Sequence, residues 1–386
     1  MPGTSSALET EWSLLRAACS TAGSEARLDR LRSLLGSPIR WKSLSDLAGH
    51  HGVQPLLCQA LSGVDQVPQD EMVALKQSYQ TNLHKALFLS RELIRIVESL
   101  STSGIDVIPY KGLALAETLY GDIALRQSGD IDLLVRAINV PRIKQVVREL
   151  GYEPHAPLSP AQERAYLRSG YEYAFDGSAG RNLLEVQWAI QPRFYAVDFD
   201  LEGLFRRAVT VTVAGHSMKT PSSEDLFIVL ALHAAKHVWG RLIWLSDLAR
   251  IITLRELNWE WIGVQAREIG IVRVLRVTLA LANRVLEMPI PAAAEENLPE
   301  DPAACPLVEE IEAFLTSDST YDVESFSYFK LMLRLRERRS DCVRFLSRLI
   351  FTPGPGEWAA IRLPQPLFPL YRLVRLSRLA ARLVRG

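Results

Sequence analysis

Asp130 and Asp132, separated by Ile131 at the head of the apolar run Leu133-Leu134-Val135, are the residues whose types and spacing best suit chemistry. Successive side chains of a strand alternate faces, so a strand here presents both carboxylates on one side and buries Ile131 on the other. A hard cation takes oxygen ligands, and Mg²⁺ is held by one or two protein carboxylates while water and substrate phosphates complete its shell. Glu185, inside Asn182-Leu183-Leu184-Glu185-Val186-Gln187-Trp188, offers a third carboxylate on another strand-like run. If that strand lies beside the first, the three acids suit a two-ion Mg²⁺ site, one ion activating a hydroxyl and one steadying a leaving phosphate. An Asp-x-Asp pair by itself is also a common loop feature that binds nothing.

Other groups stand where they could serve phosphates. Gly104 to Tyr110 reads as a strand, Lys111-Gly112 as a turn, and Leu113 to Tyr120 as a helix of good formers. A helix N-terminus with free backbone N–H groups favours an anion, Gly112 lets the backbone approach it, and Lys111 adds a point charge. Arg126 either neutralises a phosphate or pairs with a carboxylate of the Asp-x-Asp motif. Further on, His233 and His237 lie one helical turn apart, without the glutamate of the zinc-protease motif, and zinc is not expected. Lys236, His237 and Arg241 either face a cleft and contact nucleotide or acceptor, or form the polar rim of a packed helix. Trp239, Trp244, Trp259 and Trp261 read as core.

The elements that must position these groups fall into four stretches. Residues 1–100 read as an N-terminal helical domain, with helices at 7–22, 25–35, 43–51, 54–62 and 71–100. Ser43 and Ser45 offer N-cap side chains, and Pro55 sits near a helix start where its missing N–H costs little. Residues 101–216 alternate strands (105–109, 131–135, 173–176, 183–188, 209–213) with helices (113–120, 141–150, 160–169), which fits a small mixed sheet. Residues 217–350 return to helices, and Pro289 to Pro306 reads as a surface linker. Residues 351–386 hold a proline-rich segment and a basic amphipathic tail helix with no acid after Glu357. The tail reads first as a closing helix with a solvated arginine face, and otherwise as weak contact with a membrane surface, an acidic partner or phosphates. The fold class is α+β, a small mixed β-sheet flanked by helical domains.

Composition narrows the function classes. At 386 residues the chain exceeds one typical core. Its 44 basic and 44 acidic residues balance, and a nucleic-acid substrate is less expected because phosphate neutralisation dominates such binding. Cys19, Cys58, Cys305 and Cys342 make no metal-ligand spacing and read as reduced thiols. Met1 to Ser6 show no export leader, and no apolar run approaches the roughly 20 residues that span a bilayer. A cytoplasmic protein is expected.

Lys111-Gly112, Tyr120-Gly121, Arg126 and Asp130 to Val135, in that order, resemble the pattern of a bacterial family labelled uncharacterised nucleotidyltransferase, within the polymerase-β-like nucleotidyltransferase superfamily. Glu185-Val186-Gln187-Trp188 and the stretches His233 to Trp239 and Trp244 to Leu248 fill that family's later motifs, so the resemblance spans roughly residues 40 to 255. It implies Mg²⁺-dependent transfer of a nucleoside monophosphate, AMP from ATP in the first place, to a hydroxyl of a small molecule, peptide or protein. Pyrophosphate leaves. Asp130, Asp132 and Glu185 are then the catalytic and metal-binding residues, and Lys111, Gly112, Arg126, Lys236 and His237 serve the nucleotide. The sequence departs from the pattern twice. Leu113 replaces the superfamily's serine, and Gln187 replaces the narrower family's histidine, so the alternatives are a nucleotide- or partner-binding protein with little turnover and a kinase-like phosphotransferase.

Overall fold

The computed structural model describes residues 8–180, 182–317, 322 and 325–385; Met1 to Ser6, and Ala7 of the first expected helix, lie outside them. The chain opens in helices α1 (Glu9–Cys19), α2 (Ser24–Leu35), α3 (Trp41–His50), α4 (Gln54–Leu61) and α5 (Gln69–Thr102). Helix α3 begins at Trp41, so Ser43 and Ser45 lie inside it and cap nothing. In α5 the buried residues Ala86, Leu89, Leu93, Ile96 and Leu100 recur at three- and four-residue steps, which puts them on one stripe.

A five-stranded sheet follows. Its strands are β1 (Ile108–Pro109), β2 (Asp130–Leu134), β3 (Glu153–Pro154), β4 (Glu172–Asp176) and β5 (Leu183–Gln187), in the spatial order β1-β2-β5-β4-β3. Only β2 and β5 run parallel; the other neighbours are antiparallel. The first strand is shorter than its apolar run suggested, because Pro109 cannot donate to a ladder and so sits at the sheet edge. Between the strands lie α6 (Leu113–Leu115), which continues as a π-helical turn over Ala116–Tyr120, then α7 (Val140–Glu149) and α8 (Pro160–Ser169). Helix α8 starts on a reciprocal cap between Ser159 and Gln162.

The sheet's two faces divide its labour. Ile131, Leu133, Tyr173, Phe175, Leu184 and Val186 pack with the α5 stripe and with Val140, Ile143 and Val147 of α7 in one apolar cluster. Asp130, Asp132, Glu172, Glu185 and Gln187 alternate with them and therefore point the other way.

Helix α9 (Leu201–Arg207) leads to a separate hairpin of β6 (Val209–Val213) and β7 (His216–Thr220), the latter a strand the sequence did not announce. Then come α10 (Ser223–Lys236), α11 (Leu242–Leu254), α12 (Trp259–Ile269), α13 (Val272–Leu286), α14 (Ala292–Asn297), α15 (Ala304–Leu315), α16 (Phe326–Arg334), α17 (Arg339–Phe351), α18 (Pro355–Ala360) and α19 (Tyr371–Arg385). Ser222 caps α10 by accepting from the Asp225 N–H. The expected linker Pro289 to Pro306 instead contains α14, with Ala294 and Leu298 fully buried. Its prolines flank the helix rather than interrupt it.

The leading helices and the later ones share a second apolar cluster, in which Trp12, Leu14 and Leu15 join Phe227, Leu245 and Leu275. Arg16 Nε donates to the Val285 carbonyl at 2.8 Å across that seam. In the tail helix two arginines expected on a solvated face turn inward: Arg375 and Arg378 both donate to Glu357, while Leu373 is 62% exposed. No helix of the described residues is long and apolar enough to cross a membrane.

Candidate active site

Register decides the site. In the parallel pair β2/β5, Asp132 lies opposite Glu185, with Asp130 two residues back on the same face. In the antiparallel pair β5/β4, Gln187 lies opposite Glu172. This places Asp130, Asp132 and Glu185 on one face of adjacent strands and adds Glu172, which sequence reasoning missed. The signal was present in Tyr171-Glu172-Tyr173-Ala174-Phe175, but a strand start set one residue late left Glu172 outside it.

These acids line a cleft of about 690 Å³, a volume in the range of small-molecule sites. Lys111, Gly112, Arg126, Lys236, His237 and Arg241 line it too, so the residues expected to serve metal and nucleotide face the same space. Its remaining wall comes from the leading helices, through Gly52, Gln54, Asn82 and Lys85. Apolar periodicity placed those helices but could not show that they border the site.

Lys111 Nζ donates to Asp132 Oδ1 at 2.8 Å, with side-chain exposures of 9% and 3%. Burial opposes the ammonium charge, but Asp132 outweighs it and the Lys111 pKa is raised. Gln187 Nε2 reaches Glu185 at 2.8 Å and both Asp132 and Glu172 at 3.3 Å, while its Oε1 accepts from the Tyr110 hydroxyl. A glutamine amide thus ties three acids together without adding charge.

Gly112 has φ +55° and ψ −120°, a conformation that L side chains strain to adopt, and the turn brings it near Ser128 and the Asp130 carbonyl. The helix beyond it is one α turn that widens into the π turn and stops at Gly121, φ +71°, which leaves less helix dipole behind the turn than an eight-residue α-helix has.

Arg126 pairs with neither Asp130 nor Asp132. Its guanidinium forks onto Asp247 of α11, with Nε–Oδ1 at 2.9 Å and Nη2–Oδ2 at 2.8 Å, and Tyr120 Oη donates to the same carboxylate at 2.8 Å. Asp247 was quoted in the sequence only as part of a motif, and nothing local joins residues so far apart in the chain.

Lys236 and His237 end α10. Burial lowers the Lys236 pKa, and burial with the Lys236 charge pushes His237 down to about 3, so His237 is neutral. His233 and His237 pack on each other and on Trp244 at ring distances of 4.9 to 5.3 Å. Val238 and Trp239 follow in left-handed conformations at φ +55° and +48°. Such strain costs on the order of 1–3 kcal/mol per residue and persists where surroundings over-determine it. Here Trp239 is fully buried and its Nε1 donates to Thr278 Oγ1 at 3.1 Å.

The candidate ligands for Mg²⁺ are the acids of this sheet face. Among the described residues no three His, Cys, Asp or Glu side chains converge as a ligand cluster, and the cation at Asp132 is Lys111. In kind the set fits: hard oxygens on one sheet face that repel one another. Burial first, then Asp132 and Glu172, raises Glu185 to about 8, and burial with Asp132 raises Asp130.

The folded pKa of Glu185 lies above its ordinary 4.5, so the contribution is fully present below that value and is lost as pH rises towards 8. The metal-free protein is expected to lose on the order of a few °C in melting temperature between pH 5 and 8, from a linkage of about a few kcal/mol. Mg²⁺ should recover more at pH 8 than at pH 6. Scanning calorimetry in which Glu185→Gln melts with the same pH slope as the parent would remove the repulsion argument.

The cleft sets these acids against Lys85, Lys111, Arg126, Lys236 and Arg241, charges that suit the transfer of phosphorus-containing groups. The chain belongs to the family described as uncharacterised nucleotidyltransferase, whose model matches residues 37–287, and it is a nucleotidyltransferase in that sense. The match runs past the end of the expected resemblance and takes in α12 and α13. No curated protein matches the chain. A solved structure titled "Solution Structure of Antibiotic-Resistance Factor ANT(2'')-Ia Reveals Substrate-Regulated Conformation Dynamics" is similar at 16% identity, covering 46% of this chain and 89% of that one with a TM-score of 0.34.

Proposed function

We propose that this protein moves a nucleoside monophosphate, AMP from ATP in the first place, onto a hydroxyl of a small molecule, peptide or protein. The observation that carries the reading is the pairing of Asp132 with Glu185, Asp130 beside them, in one cleft with Lys111, Lys236 and Arg241. Asp130, Asp132 and Glu185 would hold Mg²⁺, which when bound neutralises phosphate charge and makes the acceptor hydroxyl more acidic. The acceptor oxygen bonds to the α-phosphorus as the bond from that phosphorus to the β-bridging oxygen breaks. The hydroxyl proton passes to the Glu185 carboxylate, which lines the cleft. Arg241 binds the departing pyrophosphate, and Lys236 contacts a non-bridging oxygen of the α-phosphate. Lys111 contributes by sharing its charge between Asp132 and the triphosphate, and Gly112 by letting backbone approach it. Arg126 acts at one remove, since its fork onto Asp247 fixes the loop that leads into Asp130. We place this chemistry in the cytoplasm, where nucleoside triphosphates are supplied and thiols such as the four free cysteines stay reduced.

The test is pyrophosphate release with Mg²⁺ and each of the four nucleoside triphosphates, with cell lysate supplying the acceptor. Pyrophosphate and a labelled adduct are expected. ADP instead would identify a kinase, and nucleotide binding with no product across many acceptors would identify a binding protein, the reading that the Lys111–Asp132 pair favours.

A further inference from the structure

A second cavity of about 370 Å³ adjoins the cleft, and Tyr171, Lys236 and His237 line both. Its walls are unusually rich in rings: Tyr166, Tyr171, Phe194, Tyr195, Tyr328 and Phe329 all contribute. Aromatic faces and edges prefer another ring, by about 0.5–1.5 kcal/mol per pair beyond area burial, so these walls select a flat body over a hydrated or flexible one.

Charge selects further. Glu357, Arg375 and Arg378 line this cavity and not the cleft, whereas Lys236 lines both. Glu357 is 5% exposed and already accepts from Arg375, from Arg378 and from the Gly354 N–H at 2.8 Å. With His237 neutral, the ionised lining carries more positive than negative charge. A cationic guest is repelled, and an anionic group is drawn to the arginines.

The common edge is rigid and polar. Lys236 Nζ donates to Tyr171 Oη at 3.3 Å and sits 4.9 Å from its ring, Tyr171 Oη donates to Glu172, and Tyr328 Oη holds the Lys236 carbonyl at 2.7 Å. A guest whose hydroxyl points at this edge directs it towards the side where Glu172 and Glu185 stand.

We propose that this cavity is the acceptor subsite and that the acceptor is an aromatic hydroxy acid, ring between the tyrosines, carboxylate at Arg375 and Arg378, hydroxyl at the Tyr171–Lys236 edge. The inference rests on the transfer reading above for the word acceptor; the ligand class rests on the cavity alone.

Titration calorimetry of the full chain with 4-hydroxyphenylacetate and with tyramine, the same ring and hydroxyl carrying the opposite charge, tests it. The acid should bind at least tenfold more tightly than the amine. Ser169→Trp, which fills the cavity from its rim, should weaken the acid at least tenfold in a protein that still binds Mg·ATP. Arg378→Gln should bring the two probes within a few-fold of each other. Equal binding of both probes to the parent, no saturable binding of either, or undiminished acid binding by Ser169→Trp would overturn the proposal. Acid binding without pyrophosphate release would support the cavity's ligand class and sink the transfer reading instead, whereas release that ignores an occupied cavity would keep the transfer reading and overturn the assignment of this cavity as the acceptor subsite.

Discussion

Glu185→Gln is expected to lose about 10²- to 10³-fold in pyrophosphate release while melting no lower than the parent at pH 8. The two halves belong together. Glutamine keeps the shape and the amide can still meet Gln187, so packing on β5 is preserved. What disappears is a charge that burial, Asp132 and Glu172 all disfavour, since they raise Glu185 to about 8. A buried acid with a strongly raised pKa in a cleft is a candidate for chemistry, and this variant tests it. Asp132→Asn should lose at least as much activity but also stability, because it leaves the Lys111 ammonium, 9% exposed, without its partner. Adding Lys111→Met to Asp132→Asn should restore stability and leave activity absent, which separates the two roles. Glu185→Gln turning over within tenfold of the parent in a single-turnover assay would show that the carboxylate is a fold element only.

How much of this could be read in the chain follows from range. The alternation in Asp130–Leu134 and Leu183–Gln187 is a local, period-two signal, and both strands stand within one residue of the expected 131–135 and 183–188. What the alternation could not give is the pairing: nothing in either run states that Asp132 meets Glu185 rather than Leu184, since register is set by the apolar faces that both strands bury on α5 and α7. Glu172 was lost at a strand boundary, the least legible feature of any element. The misreading of Pro289 to Pro306 has a different cause. Composition marked it as a loop, but Ala294 and Leu298 find an apolar seat under α12 that only the assembled helices provide. Lys111 and Arg126 were legible as cations near the acids and illegible as to partner, because a charge's partner is chosen by three-dimensional packing.

Asp247→Ala should cost about 3–5 kcal/mol of folding stability, the range for stranding one member of a buried ion pair. Arg126 and Asp247 have side-chain exposures of 7% and 1%. Burial opposes the guanidinium charge and Asp247 overcomes it, so the Arg126 pKa is raised. Alanine leaves that charge in a dry site together with the Tyr120 hydroxyl, which loses its acceptor. The damage should not stay at α11. Arg126 also donates from Nη1 to Ser128 Oγ at 3.3 Å, and Ser128 lies against Gly112, so a displaced guanidinium loosens the turn and the entry to β2 together. Urea denaturation is the readout for stability. A double variant, Arg126→Met with Asp247→Leu, should recover most of the loss by replacing the pair with apolar volume, yet transfer should remain impaired because no hydrogen bond then fixes Ser128. Recovery of full activity in that variant would mean the pair serves the core alone. Persistent inactivity in a stable protein would show that a salt bridge outside the chemistry positions the loop from which Asp130 begins.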